Sequence, residues 1–188
     1  MPQIPTSLPA RSRGFTLIEL MVTIAVAAIL IAIAVPSFKT LTVSNALTTT
    51  ANDMVGALNL ARMEAIKLNA TTQFCGNTTT SNGSDTLGTA CGTSSGAVVM
   101  LQNGAATTVR DATMGIQNQV RLATAGITAL RFGGQGLGYK ATDTSKSPYS
   151  SNTLADICST MISSDNHRTV SIAAGSIFTV STSTGACP

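Results

Sequence analysis

The sequence predicts an α+β protein in which one long amino-terminal helix packs on an antiparallel β-sheet. An apolar run covers residues 15–35, an apolar stripe with helical spacing continues to Leu68, and short β-rich segments fill the remainder. One helix followed by a series of strands is typical of the α+β class. The 188 residues are enough for one domain of ordinary size and an additional segment.

The apolar run from Phe15 to Val35 has 21 residues, and Glu19 is its only charged residue. A helix of this length spans about 31 Å, close to the hydrocarbon thickness of a bilayer. Arg11 and Arg13 precede it in a segment without acidic residues, so the positive-inside rule keeps the amino terminus cytoplasmic. An ordinary signal peptide begins in the same way, but Ala34-Val35-Pro36 is a poor cleavage site.

Glu19 is the most informative residue of this run. A carboxylate in an apolar helix is costly unless it is paired, and such residues are functional by default. It belongs to the string Gly14-Phe15-Thr16-Leu17-Ile18-Glu19-Leu20. After a short basic leader and before an apolar helix, this string resembles the class III signal of type IV pilins and type II secretion pseudopilins.

This resemblance implies a specific maturation. A prepilin peptidase would cut between Gly14 and Phe15 and methylate the new amine of Phe15, so that residues 1–14 are a leader and the apolar helix is retained. Glu19 would pair with the Phe15 ammonium of a neighbouring subunit inside a filament, which supplies a partner for the buried charge.

The helix continues beyond the membrane segment. Pro36 lacks a backbone donor and is expected to kink or loosen the helix without ending it. Seven apolar residues then follow at alternating spacings of four and three: Leu47, Ala51, Met54, Leu58, Ala61, Ala65 and Leu68. We predict one helix from about Phe15 to Leu68, with a transmembrane half (15–35) and an amphipathic half (36–69). A two-stranded coiled coil is the weaker interpretation, because three of these positions are alanine.

Residues 70–188 are predicted to form a β-rich head. Helical periodicity ends there, and glycine and Ser/Thr clusters separate short β-rich runs. The candidate strands are Thr71–Cys75, Ala97–Leu101, Thr107–Arg110, Gln119–Ala123, Ile127–Phe132, Ala155–Ser159, Thr169–Ala173 and Ser176–Ser181. Two polar loops are predicted, a low-complexity loop over residues 76–95 and another over residues 141–153.

Four cysteines lie on the exported side of the membrane segment: Cys75, Cys91, Cys158 and Cys187. An even number in an oxidising compartment indicates disulfides, with three possible connectivities. We favour Cys75–Cys91 and Cys158–Cys187, because each bond joins neighbouring segments and the second holds a chain end. A zinc site is the less favoured alternative, since no C-x-x-C spacing occurs.

Composition argues against several functions. Only 10% of the residues are charged, and the single histidine, His167, leaves no basis for a multi-histidine metal site. His167 and Asp165 could be read as a catalytic pair, but chance proximity in the sequence is the better explanation. The glycine-rich segment Gly134–Gly138 is predicted to be a hairpin turn rather than a phosphate-binding loop. We predict no enzyme activity, no cofactor and no metal.

A nucleic-acid partner is also not expected. Binding to phosphates requires clustered basic residues, whereas four candidates are scattered through the head: Arg110, Arg121, Arg131 and Lys140.

A second resemblance narrows the family. Residues 52–67, which include the string Leu58-Asn59-Leu60-Ala61-Arg62-Met63-Glu64-Ala65-Ile66, look like the end of the helix in the GspH/FimT group of minor pseudopilins. Ala61 and Ala65 would allow close approach of helix and sheet, and Arg62 could pair with Glu64 or with another subunit. Residues 130–136, 156–158 and 168–172 resemble later strands of that group.

The head departs from the group in two respects. The tryptophan motif of its secretion members is absent, and the Gly-Arg-x-Arg string of its DNA-binding members is replaced by Ala174-Gly175-Ser176-Ile177-Phe178. The closest resemblance is to minor pilins of the FimU type.

Three functions therefore compete. The first is a minor pilin that helps to prime pilus assembly, with prepilin peptidase, other minor pilins and the major pilin as partners. It would sit in the inner membrane with a periplasmic head and later in the extracellular pilus. The alternatives are a minor pseudopilin of type II secretion and a DNA-binding pilin for natural transformation.

Overall fold

The computed structural model describes residues 14–112, 119–150 and 152–188, without the side chains of residues 124, 125 and 152. Most of the predicted leader lies outside the described residues. The chain forms two compact units, one that ends at Lys39 and a head that begins at Thr40. The α+β prediction is confirmed: one long helix and antiparallel sheets make up the fold.

The long helix, α1, extends from Leu17 to Leu68 with Pro36 inside it. Its predicted continuity through this proline is therefore confirmed. Six of the seven residues of the predicted stripe are buried, from Leu47 to Ala65, whereas Leu68 is 45% exposed. The buried face is wider than predicted, because it also contains Val43, Thr50 and Ala57. The buried alanines bring the helix close to the sheet: the Thr72 hydroxyl donates to the Ala61 carbonyl at 2.7 Å.

Nine strands form two antiparallel sheets. The first sheet has the order β3-β2-β1-β5-β6, and the second has the order β4-β7-β8-β9. The strands of the first sheet are β1 (Thr72–Phe74), β2 (Val98–Gln102), β3 (Ala105–Arg110), β5 (Leu130–Phe132) and β6 (Gly138–Lys140). The second sheet consists of β4 (Arg121–Ile127), β7 (Asn152–Cys158), β8 (His167–Ala173) and β9 (Ile177–Ser183).

The predicted strands correspond to eight of these nine, with two corrections. Ile127 ends β4 and not the strand that contains Phe132, because Thr128 and Ala129 separate the two. Strand β6 was missed, since glycines surround it. Gly138 is needed there because a Cβ atom would lie 2.8 Å from the Phe132 ring.

The predicted loop over residues 76–95 is wrong in part, because it contains two short helices. Helix α2 is Thr79–Asn82 and helix α3 is Thr86–Cys91. Each has a side-chain cap: Thr78 accepts from the Ser81 amide, and Asp85 accepts from the Gly88 amide. Segments of four and six residues are too short to show helical periodicity in a Ser/Thr-rich sequence.

The core lies between α1 and both sheets. Its largest members come from every layer, and include Leu47, Met54, Phe74, Phe132 and Ile157. A smaller cluster on the other side of the first sheet contains Cys75, Leu87, Cys91, Ala97 and Val99. Helix α3 therefore covers the outer face of β1 and β2 with apolar side chains.

Two disulfides close the head. Cys75 is bonded to Cys91 with the Cα atoms 5.4 Å apart, and Cys158 to Cys187 with the Cα atoms 5.7 Å apart. These pairings are the ones favoured from the sequence. The first joins the end of α3 to the residue after β1, within the small cluster, and the second ties the carboxyl-terminal segment to the end of β7.

We expect the double variant Cys158→Ser/Cys187→Ser to lose about 3–4 kcal/mol of unfolding free energy, because the bond closes a loop with a sequence separation of 29. The measurement is denaturant unfolding of the full chain in detergent. A loss below about 1 kcal/mol would contradict the expectation, since it lies outside the typical range for such loops.

Candidate processing and assembly site

The predicted cleavage position lies just before α1. Gly14 is exposed, and a Cβ atom placed on it would have no heavy atom within 4 Å. The described chain therefore gives this glycine no packing role.

The Thr16 side chain caps the start of the helix. The Thr16 hydroxyl accepts a hydrogen bond from the Glu19 amide at 3.3 Å, and the Thr16 carbonyl accepts from the Leu20 amide at 3.1 Å. Thr-x-x-Glu is the spacing of a capping box. This cap at Thr16 was not predicted, although the Thr-x-x-Glu spacing is visible in the sequence.

The helix that follows is apolar and exposed. Every residue from 14 to 42 is exposed, including Phe15 at 75% and Phe38 at 72%. By length and composition, α1 can cross a membrane. Glu19 is the only charged residue between Gly14 and Lys39. Apolar surface of this extent requires lipid or other protein to cover it.

Two arginines connect the part of α1 that lies in the head to the strands and loops of the head. Arg62 donates from Nε to the Gly136 carbonyl at 3.1 Å and from a terminal nitrogen to the Ser176 carbonyl at 3.5 Å. Of the two partners considered for Arg62, Glu64 is therefore wrong, because Glu64 pairs with Lys67 at 3.4 Å. The reason is geometric: residues two apart point away from each other on a helix, whereas residues three apart are neighbours. A pairing of Arg62 with another subunit stays a prediction.

Arg168 is the second of these arginines, and it is only 7% exposed. It donates to the side chains of Ser44 and Thr48 on α1 at 3.0 and 3.3 Å, and to the carbonyls of Asp165 and His167 at 2.7 and 2.9 Å. These acceptors replace the water that a buried guanidinium loses. The bonds fix the second sheet to the membrane-proximal end of the head helix.

Comparison with known proteins supports the processing segment and the head separately. Residues 9–35 match the prokaryotic N-terminal methylation motif. Residues 50–176 match the family described as type II transport protein GspH, which covers more than half of the chain.

The chain belongs to the GspH family. No curated protein and no solved structure gives a significant match. The methylation motif contains Gly14, Phe15 and Glu19, and the GspH region contains both arginines that attach α1 to the head. The two matches identify a pilin or pseudopilin family protein, and this family suggests association with other pilins and processing by prepilin peptidase.

Each of the four basic candidates for DNA contact has a partner within this GspH-family head. Arg110 forms an ion pair with Asp53 of α1, and Arg131 pairs with Asp85 and donates to Gln73 at 2.7 Å. Arg121 donates to the carboxyl-terminal residue Pro188 at 3.1 Å. Lys140 lies over the Tyr149 ring, 5.0 Å from its centroid. Internal contacts therefore occupy all four side chains.

His167 is paired with Asp156 and not with Asp165, which was the neighbour considered from the sequence. Its Nδ1 lies 3.0 Å from both carboxylate oxygens of Asp156, and its Nε2 is buried beside Gly185. The pair joins β7 to β8, where Asp156 and His167 are near neighbours across the strands. The Thr169 hydroxyl also donates to Asp156, at 3.5 Å, and no cluster of metal-ligating side chains occurs among the described residues.

The pair of Arg131 and Asp85 predicts a pH-dependent contribution to stability. The hydrogen bond from Arg131 is the largest influence on Asp85 and lowers the pKa of this carboxyl, against a smaller effect of burial. A carboxyl whose pKa is lowered on folding stabilises the fold above its unfolded pKa of about 3.9 and loses this effect as the pH falls through the folded pKa.

We expect Asp85→Asn to melt below the wild type by no more than about 2–4 °C at pH 7, since solvent screens exposed pairs. Asparagine also caps helices, so the variant isolates the charge. The difference should shrink as the pH falls below about 4. Thermal unfolding of the full chain between pH 7 and pH 3 tests this, and a pH-independent difference would contradict it.

Proposed function

We propose that this GspH-family protein is a minor pilin that helps to prime the assembly of type IV pili and is incorporated into them. Prepilin peptidase cleaves it between Gly14 and Phe15 and methylates the Phe15 amine. The observation that carries this proposal is the exposed apolar helix that begins directly after Gly14 and contains one carboxylate.

In this proposal, Glu19 pairs with the methylated Phe15 ammonium of a neighbouring subunit. A carboxylate in an apolar assembly is costly without a partner of opposite charge. The capping bond that the Glu19 amide makes with Thr16 leaves the carboxylate available for that partner. Several closely packed α1 helices would then cover the apolar surface that is exposed in the isolated chain.

The proposed location follows from the same features. The protein sits in the inner membrane as a single-pass protein with a cytoplasmic amino terminus and a periplasmic head, and then passes into the extracellular pilus. The basic leader supports this orientation, and two disulfides in the head suit an oxidising compartment. The mature chain would carry nine basic and eight acidic side chains, so long-range repulsion between neighbouring heads would be small.

The test is the amount of major pilin sheared from an in-frame deletion strain, compared with complemented cells. Loss of surface pili, restored by the wild-type gene, supports priming of assembly. Normal pili in the deletion strain would contradict the proposal. Detection of the mature protein in the sheared fraction tests incorporation independently of priming.

A minor pseudopilin of type II secretion is the second candidate, and the description of the matched family favours it. The two candidates share maturation and membrane topology but differ in their product. Loss of exoprotein export with pili intact would assign the protein to secretion. Loss of pili with export intact would assign it to the pilus.

A further inference from the structure

The two sheets of the head have four edges, and three of them carry features that oppose pairing with another strand. Strand β3 contains Arg110 and has a register shift against β2. Strand β4 contains Arg121 and has a register shift against β7. Strand β6 is only three residues long and ends in Lys140. Charge, irregular register and shortness are the usual protections of an edge.

The fourth edge, β9, has none of these features. Its seven residues, Ile177 to Ser183, include no charged residue and no proline. All seven pair with β8 in one unbroken antiparallel register. Strand β9 is therefore a long, regular and neutral edge of the kind on which a further strand can form.

The outer side of β9 is accessible. Ile177 is 57% exposed and Val180 is 39% exposed, and Phe178 is the only residue of the strand that is not exposed. Within the described chain, residues 177–183 make no hydrogen bond other than those with β8. An edge strand directs part of its backbone donors and acceptors away from its own sheet, and here they face solvent.

We propose that β9 is a docking edge that receives an uncharged edge strand from a different subunit of the filament. The incoming strand extends the second sheet of the head by backbone hydrogen bonds, the mode known as β-augmentation. The chemistry of β9 specifies a partner strand rich in β-branched or hydroxyl side chains, because Thr179, Val180 and Ser181 form favourable cross-strand pairs with such residues. This inference rests on the proposed function.

A second copy of this chain does not fit as an antiparallel partner of β9 in one membrane. Antiparallel pairing of β9 with its own copy places a two-fold axis perpendicular to the shared sheet. The axis reverses every direction in the plane of the sheet, including that of the α1 segment packed on it. The two copies would then enter their heads from opposite ends, whereas chains anchored in one bilayer enter from the same side. The other edges of a second copy carry the protections described above.

The first test maps the neighbour of β9 in cells that make pili. The full-length protein carries a photo-reactive benzoyl-phenylalanine at Thr179, or at Thr108 as the matched control on the protected edge β3. Both positions are exposed threonines on edge strands. We expect an adduct from position 179 whose partner peptide, identified by mass spectrometry, belongs to an edge strand of a different pilin subunit. An adduct with a second copy, or no adduct beyond the level at position 108, would overturn the proposal.

The second test adds to β9 a charged residue, which is the kind of protection that the other edges carry. Thr179→Lys should lower the amount of this protein in sheared filaments about fivefold, the effect expected for an unfavourable cross-strand pair, whereas Thr108→Lys should leave it unchanged. Equal incorporation of both variants would overturn the docking edge and leave the proposed function intact. Absence of the wild-type protein from filaments would instead contradict the proposed function. Leader cleavage is measured in every strain, because neither lysine should affect it.

Discussion

Replacement of Gly14 by alanine should leave the protein as an uncleaved precursor. In the structure, nothing within 4 Å of Gly14 prevents a larger side chain, so the effect must arise in the active site of the peptidase. An extra methyl group in a pocket that excludes it costs about 1–3 kcal/mol of transition-state binding, roughly 10- to 200-fold in rate. The precursor would be heavier than the mature chain by the 14-residue leader.

The measurement is a pulse–chase experiment followed by mass spectrometry of the accumulated protein. Gly56→Ala is the matched control, because Gly56 also has open space around its Cβ position but lies inside α1. It should be processed at the wild-type rate, and alanine suits a helix interior slightly better than glycine. Wild-type processing of Gly14→Ala would refute the assigned cleavage position, even though the chain matches the methylation motif.

The parts of the fold that could be predicted are those in which local sequence and burial agree. The stripe from Leu47 to Ala65 predicted the buried face of α1 because helical spacing and packing coincide there. Pro36 did not mislead the prediction, since the helix continues on both sides of it. Most strands were found because apolar and β-branched residues are separated by glycine and polar clusters.

Other parts depend on contacts that no local pattern contains. Helices α2 and α3 are stabilised by the caps at Thr78 and Asp85 and by the bond between Cys75 and Cys91, and not by a long periodic segment. Strand β6 exists because Gly138 fits beneath Phe132 and its backbone bonds to Gly175 at 2.6 Å. The disulfide and the bond between Gly138 and Gly175 join residues that are distant in the sequence, whereas each cap spans only three residues and supports a helix too short to show periodicity.

In the candidate site, too, residues close together in the sequence were predicted and contacts between distant residues were not. Gly14, Phe15 and Glu19 are contiguous, so a short string was enough to suggest their roles. The attachment of α1 to the head was not predictable: Arg168 reaches Ser44 and Thr48 across more than 100 residues. A basic residue within a β-rich run gave no sign of burial, because only the folded structure shows that hydroxyls and carbonyls surround it.

Replacement of Glu19 by alanine should give a protein that is cleaved normally but is nearly absent from filaments. Cleavage should persist because the scissile bond lies five residues away and the cap at Thr16 uses the Glu19 amide, which alanine retains. Incorporation should fail because the proposed partner, the Phe15 ammonium of a neighbour, would remain charged in an apolar surrounding. Removing one member of a buried pair costs about 3–5 kcal/mol, roughly a hundredfold or more in an equilibrium.

Quantitative immunoblotting measures the amount of the protein in sheared filaments relative to its amount in membranes. Glu19→Gln separates charge from size: it keeps the shape and hydrogen-bonding capacity of the side chain, and it should fail nearly as completely as alanine if the ion pair is the cause. Glu64→Ala removes a glutamate from the head part of α1, where the partner is Lys67 at the surface, and such pairs contribute little. It should be incorporated like the wild type. If Glu19→Gln were incorporated normally while Glu19→Ala was not, the carboxylate would act as a hydrogen-bonding group, and charge pairing with Phe15 would be wrong.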